Sequence, residues 1–257
     1  MWEQRYGFPE PSRTQSGYRR YGSEDVRTQR RERGFRARGL SVPAAIERAR
    51  ESASGQRPSI YAAVAEEHPA GPQVLRKRTL VALSRVIEHE AMARATKPVL
   101  FGAFQHEPNY RGVERRYRRM ARFAEAAVVF ADFEHLAEPP GGPVEIPIAL
   151  EDKVGNEWAV VVDSVDFSAA LLAWEVPGLN RPGTDEEDAA RRFEAIWTVD
   201  PRAPGRAAEV GARLAGRASP PVGERLTALL QDRPLAMEEP APALTALTNR
   251  LVSYLEA

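Results

Sequence analysis

Residues 76–105, RKRTLVALSRVIEHEAMARATKPVLFGAFQ, contain the helix and the strand that decide the fold. The apolar residues of the first part recur at helical spacing: Leu80, Leu83, Ile87 and Ala91. This spacing predicts a long helix over residues 73–95 with one buried face. The run KPVLFGAFQ then predicts a buried strand. An amphipathic helix followed at once by a buried strand is typical of a domain in which helices pack on a sheet.

The segments that follow predict the rest of this sheet and its helices. Residues 107–126, EPNYRGVERRYRRMARFAEA, form an amphipathic helical pattern with apolar residues on one face and arginines on the other. Further strands are predicted in AAVVFADF, GGPVEIPI, NEWAVVVDS and AALLAWEV, and a helix is predicted over roughly residues 202–217. We therefore predict a mixed α/β or α+β fold, with helices packed on a mixed central sheet and a helical C-terminal tail.

Composition sets bounds on the class of protein. The chain has 257 residues, 43% hydrophobic and 28% charged, which is ordinary for one large domain or two modest ones. No stretch of eighteen apolar residues occurs, so we expect no membrane span. The chain has no cysteine, which excludes disulfides, thiolate catalysis and cysteine metal ligands. This composition fits a cytoplasmic protein, and we predict that localisation.

A zero net charge conceals a basic N-terminal end. Residues 1–50 contain 12 Arg and 6 Asp or Glu, an excess of 6 positive charges, which an equal negative excess in the remaining chain balances. A basic end suits a polyanion such as DNA, since arginine releases counterions condensed on phosphates. On charge alone, a solvated basic helix is the simpler interpretation.

Local patterns give this basic end a recognisable order of elements. WEQRYG resembles a last helical turn that ends at Gly7, and the prolines of FPEPSR exclude a helix there. TQSGYRRY predicts a small hairpin with its turn at Ser16 and Gly17. Helices are then predicted from Ser23 and from Ser41, each serving as an N-cap.

This order resembles the second half of the winged helix-turn-helix domain of the MerR family of transcription regulators. The resemblance implies that Arg5, Tyr18, Arg19 and Arg20 contact DNA, with GYRRY as the wing. The first helix, the turn and the start of the recognition helix would precede Met1. We expect either an upstream start, or a remnant that keeps at most contacts to phosphates.

A second resemblance covers roughly residues 73–217. The blocks RKRTLVALSRVIEHEAMARA, PVLFGAFQHEPNYRGVERRYRRMARFAEAAVVFADF, EWAVVVDS, LLAWEVPG and RRFEAIWTVDP are similar, in this order, to the DICT sensory domain. That resemblance implies a sensor of a small molecule or a light-related signal. The predicted organisation is residues 1–50 as a partial MerR-like domain, 51–72 as a linker, 73–218 as the DICT domain and 219–257 as a C-terminal helical extension.

A sensory pocket is predicted at the ends of the buried strands, because open α/β sheets bind ligands there. Its residues are Gln105, Arg122, Asp132 and Trp158. The alternative is structural: Asp132 caps a turn, Arg122 pairs with a carboxylate and Trp158 belongs to the core. Further polar candidates are His106, Glu107, Arg111, Glu157, Asp163, Glu175 and Glu194.

Enzyme motifs are missing from the sequence. It contains no GxSxG, Walker loop, GxGxxG or HExxH, and no histidine pair has the spacing of helical metal ligands. We therefore expect no enzyme, no metal and no cofactor. An enzyme that uses Asp132 and Glu157 is the least favoured hypothesis.

The C-terminal tail carries a leucine stripe at helical spacing: Leu244, Leu247, Leu251 and Leu255. It can dock on its own domain, the simpler interpretation, or pair with a second subunit. MerR-like proteins bind near-palindromic sites as dimers, so we expect a homodimer on double-stranded DNA. The predicted function is a one-component signal-responsive transcription regulator. The alternative is a stand-alone DICT module that does not bind DNA.

Overall fold

A computed structural model of the chain describes residues 8, 12–13, 18–21, 28–29, 32–34, 36, 42–43, 45–46, 49, 59–65, 68, 71–148, 153–175, 185–231, 233–234, 248 and 252. Contacts divide the chain into two units, Met1–Arg57 and Pro58–Ala257. None of the described helices is long and apolar enough to cross a lipid bilayer.

The first unit contains a small antiparallel ribbon. Strands β1 (Ser12–Arg13) and β2 (Arg19–Arg20) pair with Ser12 opposite Arg20 and Arg13 opposite Arg19, which confirms the predicted hairpin. Residues 28–29, 32–34 and 36 are helical, as are 42–43, 45–46 and 49, within the two helices predicted there. Phe8 is buried, whereas Tyr21 is 51% exposed.

The second unit is built on a seven-stranded sheet in the order β3-β9-β8-β7-β4-β5-β6. Its strands are β3 (Gln73–Arg76), β4 (Val99–Ala103), β5 (Ala126–Ala131), β6 (Val144–Pro147), β7 (Glu157–Asp163), β8 (Ala169–Glu175) and β9 (Arg192–Thr198). Strands β4, β5 and β6 run parallel, and every other neighbouring pair is antiparallel. The predicted mixed α/β class is confirmed.

Helices cover both faces of this sheet. They are α1 (Ile60–Ala65), α2 (Lys77–Arg94), α3 (Glu107–Arg111), α4 (Glu114–Ala121), α5 (Asp185–Ala189), α6 (Arg202–Ala218) and α7 (Pro220–Gln231), with one 3₁₀ turn at Lys153–Asn156. Apolar side chains of α1, α6 and α7 join one hydrophobic cluster, and those of α2, α3 and α4 join another. Phe101 of β4 belongs to the first cluster and Leu100 to the second, because successive side chains of a strand point to opposite faces.

Three of the observed elements differ from the sequence expectation. Residues 73–76, predicted as the start of a long helix, instead form β3, because they pair with β9 more than one hundred residues later. The single helix predicted over 107–126 is interrupted at Gly112 and Val113, where Val113 has non-helical angles of φ −122° and ψ 0°. Segment 59–65, which we placed in a linker, contains α1, with Ile60 fully buried.

Close backbone contact holds α6 and α7 together. A Cβ atom at Gly223 of α7 would collide with the Cα of Gly216 on α6. On its other side, α6 approaches the sheet so closely that a Cβ at Gly211 would lie 2.7 Å from the ring of Phe101. Small residues therefore allow two helical layers to stack on this face.

The C-terminal extension contacts its own unit: α7 joins the hydrophobic cluster that it shares with α1 and α6, and Arg233 pairs with Glu125 and Asp163. Val252 is partly buried against the hydrophobic cluster that α2, α3 and α4 share with the sheet. This contact supports docking of the tail on its own domain. The four leucines of the predicted stripe lie outside the described residues.

Candidate functional site

One edge of the sheet gathers the buried polar side chains of Gln105, Glu157 and Glu194. Strands β4, β5 and β8 end there, and the antiparallel strands β7 and β9 begin there. We call this edge the rim. In open α/β sheets, such strand ends are the usual place for a ligand.

Gln105 follows the end of β4 and is held in an unusual backbone conformation. Its φ of +58° lies in the left-handed region, where a residue with a side chain is strained by about 1–2 kcal/mol. The side chain is only 5% exposed, and its Nε2 donates to Oε2 of Glu175 at 3.1 Å. The carbonyl of Gln105 accepts the backbone N–H of Asp132 at 3.2 Å. Backbone strain held in place by specific contacts is typical of functional positions.

Asp132 lies beside Gln105 at the end of β5, as predicted. Its carboxylate accepts the backbone N–H of Glu107, the first residue of α3, and lies 2.8 Å from Nδ1 of His106. Burial would raise the pKa of Asp132, but the hydrogen bonds from His106 and Glu107 outweigh it and hold that pKa below its ordinary value. Asp132 therefore serves as a turn cap, the structural alternative given above, and with half-exposed His106 it also presents a polar pair at the rim.

An ion-pair chain extends the rim from Glu175 to the start of α2. Arg191, just before β9, donates from Nε to Oε1 of Glu175 at 2.9 Å and from Nη1 to Oδ1 of Asp188 at 3.0 Å. Asp188 also pairs with Lys77. The guanidinium lies 5.4 Å from the ring centroid of Phe193. The two carboxylates keep the pKa of Arg191 above its ordinary value although burial opposes them.

Two predicted pocket residues lie away from this cluster. Arg122 is exposed after the end of α4, where the chain enters β5 beside Pro98, at the opposite edge of the sheet. Trp158 lies on β7 close to the rim, but its indole packs on the face covered by α2. There its Nε1 donates to Ser84 Oγ at 3.0 Å and its ring meets Phe193 edge-on. Gln105 and Asp132 are thus adjacent, whereas Arg122 and Trp158 do not join them.

A buried carboxylate at the rim anchors the first helix of this unit. Glu157, the first residue of β7, is 0% exposed. It accepts the backbone N–H groups of Ile60 at 3.0 Å and Tyr61 at 3.3 Å, together with the hydroxyl of Ser59. The hydroxyl of Tyr61 donates to Glu194 at 3.2 Å. The short helix α1, which begins three residues after Arg57, is therefore fixed to the rim by two acidic side chains.

Strand register places these acidic groups next to the ion-pair chain. Glu157 of β7 and Glu194 of β9 both pair in register with Trp174 of β8, which lies between them. The next residue of β8 is Glu175, the partner of Gln105 and Arg191. Trp174, which pairs in register with the two glutamates that hold α1, is thus directly followed in β8 by the residue that contacts Gln105 and Arg191. Sequence reasoning named Glu157, Glu175 and Glu194 as candidates but missed Arg191, whose only signal was its place between an acidic run and a strand.

Two cavities lie beside α6, and none of Gln105, Asp132, Glu175 and Arg191 lines either one. One, of about 440 Å³, is an open groove between α6 and α7. The other, of about 360 Å³, lies against β5 and β6 and is lined by apolar side chains and by Arg217. Within the described part of the chain, no group of three or more His, Asp or Glu residues could hold a metal ion.

The predicted DNA-binding residues fall in the first unit. Tyr18 is 75% exposed, beside the start of β2, and Arg19 and Arg20 form that strand. Arg5 lies outside the described residues.

Comparison with known proteins assigns residues 58–176 of the second unit. No curated protein and no solved structure matches the chain. One family model does match, that of DICT, described as a "Sensory domain in DIguanylate Cyclases and Two-component system". The match covers residues 58–176, from the start of the second unit to the end of β8, and so includes α1, Gln105, Asp132 and Glu157. The DICT resemblance, predicted for residues 73–217, is confirmed over residues 73–176; the match also includes residues 58–72, which we placed in the linker, and does not include residues 177–217. Residues 58–176 thus match the DICT sensory domain.

Proposed function

We propose that this chain is a one-component transcription regulator rather than an enzyme, in which a MerR-like DNA-binding half is coupled to the DICT sensory domain. The observation that carries the proposal is the antiparallel ribbon of β1 and β2, with exposed Tyr18, in a basic segment that precedes a DICT domain in the chain. A two-stranded ribbon with arginines on one strand is suited to contact phosphates.

The sensory half of the proposal is supported by the family match and by the rim. Gln105, with its left-handed backbone, and the adjacent His106–Asp132 pair present hydrogen-bonding groups at a strand end. We propose that the signal binds at this part of the rim and is a small molecule or a molecule that light generates. A polar ligand would exchange hydrogen bonds with these groups, and the change would alter the Gln105–Glu175 contact.

The route from the rim to the first unit runs through α1. Glu157 and Glu194 hold α1, and α1 follows directly on the boundary between the units. A signal that favours one arrangement of the rim therefore biases the helix that leads toward the first unit. We propose that this shift changes the affinity of a homodimer for double-stranded DNA.

A stand-alone sensory module is the second candidate function. It is favoured by the extent of the family match, which begins at residue 58 and leaves residues 1–57 unassigned. Such a module would act through another protein and would not bind DNA.

Duplex binding separates the two candidates. The probe is a fluorescein-labelled mixed-sequence duplex of about 30 base pairs, titrated by anisotropy at low salt, where non-specific contacts to phosphate are strong. The regulator predicts saturable binding that Arg19→Ala/Arg20→Ala weakens at least tenfold. Arg213→Ala/Arg217→Ala is the matched control, because it also removes two exposed arginines, one turn apart on α6. The stand-alone module predicts no binding by the native chain.

A further inference from the structure

The outer face of α4 carries a stripe of arginines. Arg115, Arg119 and Arg122 are spaced at i, i+4 and i+7 and are all exposed. Arg122 follows the helix with backbone angles that are still helical, φ −65° and ψ −27°. Residues at this spacing lie on one side of a helix, so the three guanidinium groups project from the same surface. We call these three residues the arginine stripe.

The other arginines of α4 have structural partners, whereas the stripe has none among the described residues. Arg116 pairs with Glu88 of α2, which is 2% exposed. Arg118 donates from Nε to Glu114 at 2.9 Å. Within the part of the chain that the structure describes, no carboxylate lies within 4.0 Å of a stripe guanidinium. The stripe therefore presents uncompensated positive charge on a domain whose overall balance is acidic.

On the neighbouring helix α2, Arg85 is exposed one turn before Glu88, the partner of Arg116, and its positive charge favours the ionised form of the Glu88 carboxyl. The nearest exposed acid of α2, Glu90, is within 4 Å of Arg94. Among the residues of α2 and α4, Val86 is the one exposed large apolar side chain. A protein-docking patch is normally centred on buried aromatic or aliphatic anchors, which one valine does not supply.

We propose that the arginine stripe is a contact surface for the phosphate backbone of duplex DNA, in addition to the N-terminal hairpin. From Arg115 to Arg122 the helix advances about 10 Å at 1.5 Å per residue, and phosphates of one DNA strand advance about 3.4 Å each along the duplex axis. The arginine stripe thus spans about three phosphate-to-phosphate steps, the axial length of about four successive phosphates. Arginine suits this task because its planar guanidinium donates two parallel hydrogen bonds to a phosphate. The proposal rests on the proposed function, since it requires a chain that binds DNA.

The test compares salt dependence between two matched double variants of the full chain. Arg115→Ala/Arg119→Ala removes part of the stripe, and Arg213→Ala/Arg217→Ala removes two exposed arginines at the same i, i+4 spacing on α6, which covers the other face of the sheet. Binding to the labelled duplex is measured from about 50 to 200 mM salt. Each arginine that contacts phosphate contributes about 0.9 to the slope of log K against log salt. In a homodimer the stripe variant removes four arginines in all, so it is expected to lower that slope by about 4, and the control to leave it unchanged.

The outcomes distinguish this proposal from the proposed function. If Arg19→Ala/Arg20→Ala weakens binding but the stripe variant matches the α6 control, the stripe proposal is overturned and the regulator stands. If the stripe variant lowers the slope and the hairpin variant does not, the stripe stands and the hairpin assignment fails. If the native chain binds no duplex at all, both fail. Binding of poly-glutamate that only the stripe variant weakens, with DNA binding unchanged, would assign the stripe to an acidic protein and overturn the proposal.

Discussion

Replacing Glu157 by alanine is the sharpest test of how the DICT domain holds its first helix. The carboxylate is fully buried and accepts the N–H groups of Ile60 and Tyr61 and the hydroxyl of Ser59. Alanine removes all three acceptor contacts at once. Because the two N–H groups belong to the first turn of α1, they have no partner within the helix to replace the lost one.

The expected cost follows from those two donors. A buried backbone N–H that loses its partner costs about 1–3 kcal/mol, so Glu157→Ala should destabilise α1 by about 3 kcal/mol. Glu157→Gln keeps one acceptor oxygen in nearly the same volume, and a retained neutral hydrogen bond limits the loss to about 1 kcal/mol. Tyr61→Phe, which removes only the hydrogen bond to Glu194, should also cost about 1 kcal/mol.

Hydrogen exchange resolves this effect locally. A loss of about 3 kcal/mol in the opening free energy corresponds to exchange about 100-fold faster, since 1.4 kcal/mol is a factor of ten. We expect that acceleration in amides of residues 60–65 for Glu157→Ala, and about fivefold for Glu157→Gln and Tyr61→Phe. Amides in the middle of β7 and β8 should keep their native rates.

Two results would refute this reasoning. Exchange in residues 60–65 within threefold of the native rate would show that Glu157 is not the anchor of α1. An equal acceleration across β7 and β8 would show that the substitution weakens the whole domain, so that α1 is not an independently releasable element.

Three further substitutions test other parts of the domain. Lys97 is exposed with φ +44°, so Lys97→Gly should raise the free energy of unfolding by about 0.5–1 kcal/mol, whereas Lys97→Ala should not, as urea titration can show. Arg233→Ala leaves the buried carboxylate of Asp163 without its cation and should cost about 3 kcal/mol at pH 7. Burial raises the pKa of Asp163, although the charge of Arg233 opposes this shift. The loss of unfolding free energy in Arg233→Ala should therefore shrink as the pH falls through that raised pKa, because Asp163 becomes neutral. A loss that does not change with pH would contradict this. Gly223→Ala should lower the melting temperature, because the added carbon would collide with the backbone of Gly216 on α6. Gly112→Ala is the control, since no atom lies closer than 3.6 Å to its added carbon, and it should not lower the melting temperature. Equal melting temperatures for the two variants would show that α6 and α7 can separate at little cost.

The layers of the fold were predictable because local patterns determine them. The spacing of Leu80, Leu83, Ile87 and Ala91 predicted α2 and its buried face; Leu80, Ile87 and Ala91 are buried and Leu83 is partly buried. The apolar runs around Phe101 and Phe130 predicted β4 and β5. Each of these signals lies within one element, so no knowledge of its partner is needed.

The strand β3 and the break between α3 and α4 were not predictable in this way. Residues 73–76 have no strand pattern of their own and become a strand only through pairing with β9. The break at Gly112 and Val113 separates two helical turns that share one apolar face, so the periodicity continues across it. Tertiary contacts decide both features.

The candidate site was predictable only where its residues follow the ends of adjacent parallel strands. Gln105 and Asp132 end two adjacent parallel strands and therefore meet. Arg122 ends a helix that returns the chain to the opposite edge, and Trp158 points to the face covered by α2. Glu157 and Glu194 come close together only because β7, β8 and β9 are antiparallel neighbours, with Trp174 between them. A single sequence gives no signal for that strand order.

The salt dependence of duplex binding by the native chain tests the central claim most directly. If Arg5, Arg19 and Arg20 contact phosphates in each subunit of a homodimer, about six contacts form, and affinity should fall about 1,000-fold between 50 and 200 mM salt. A fall of that size would establish a DNA-binding regulator. No binding at 50 mM salt, or a fall of less than tenfold, would contradict the regulator and leave a sensory module that acts without DNA.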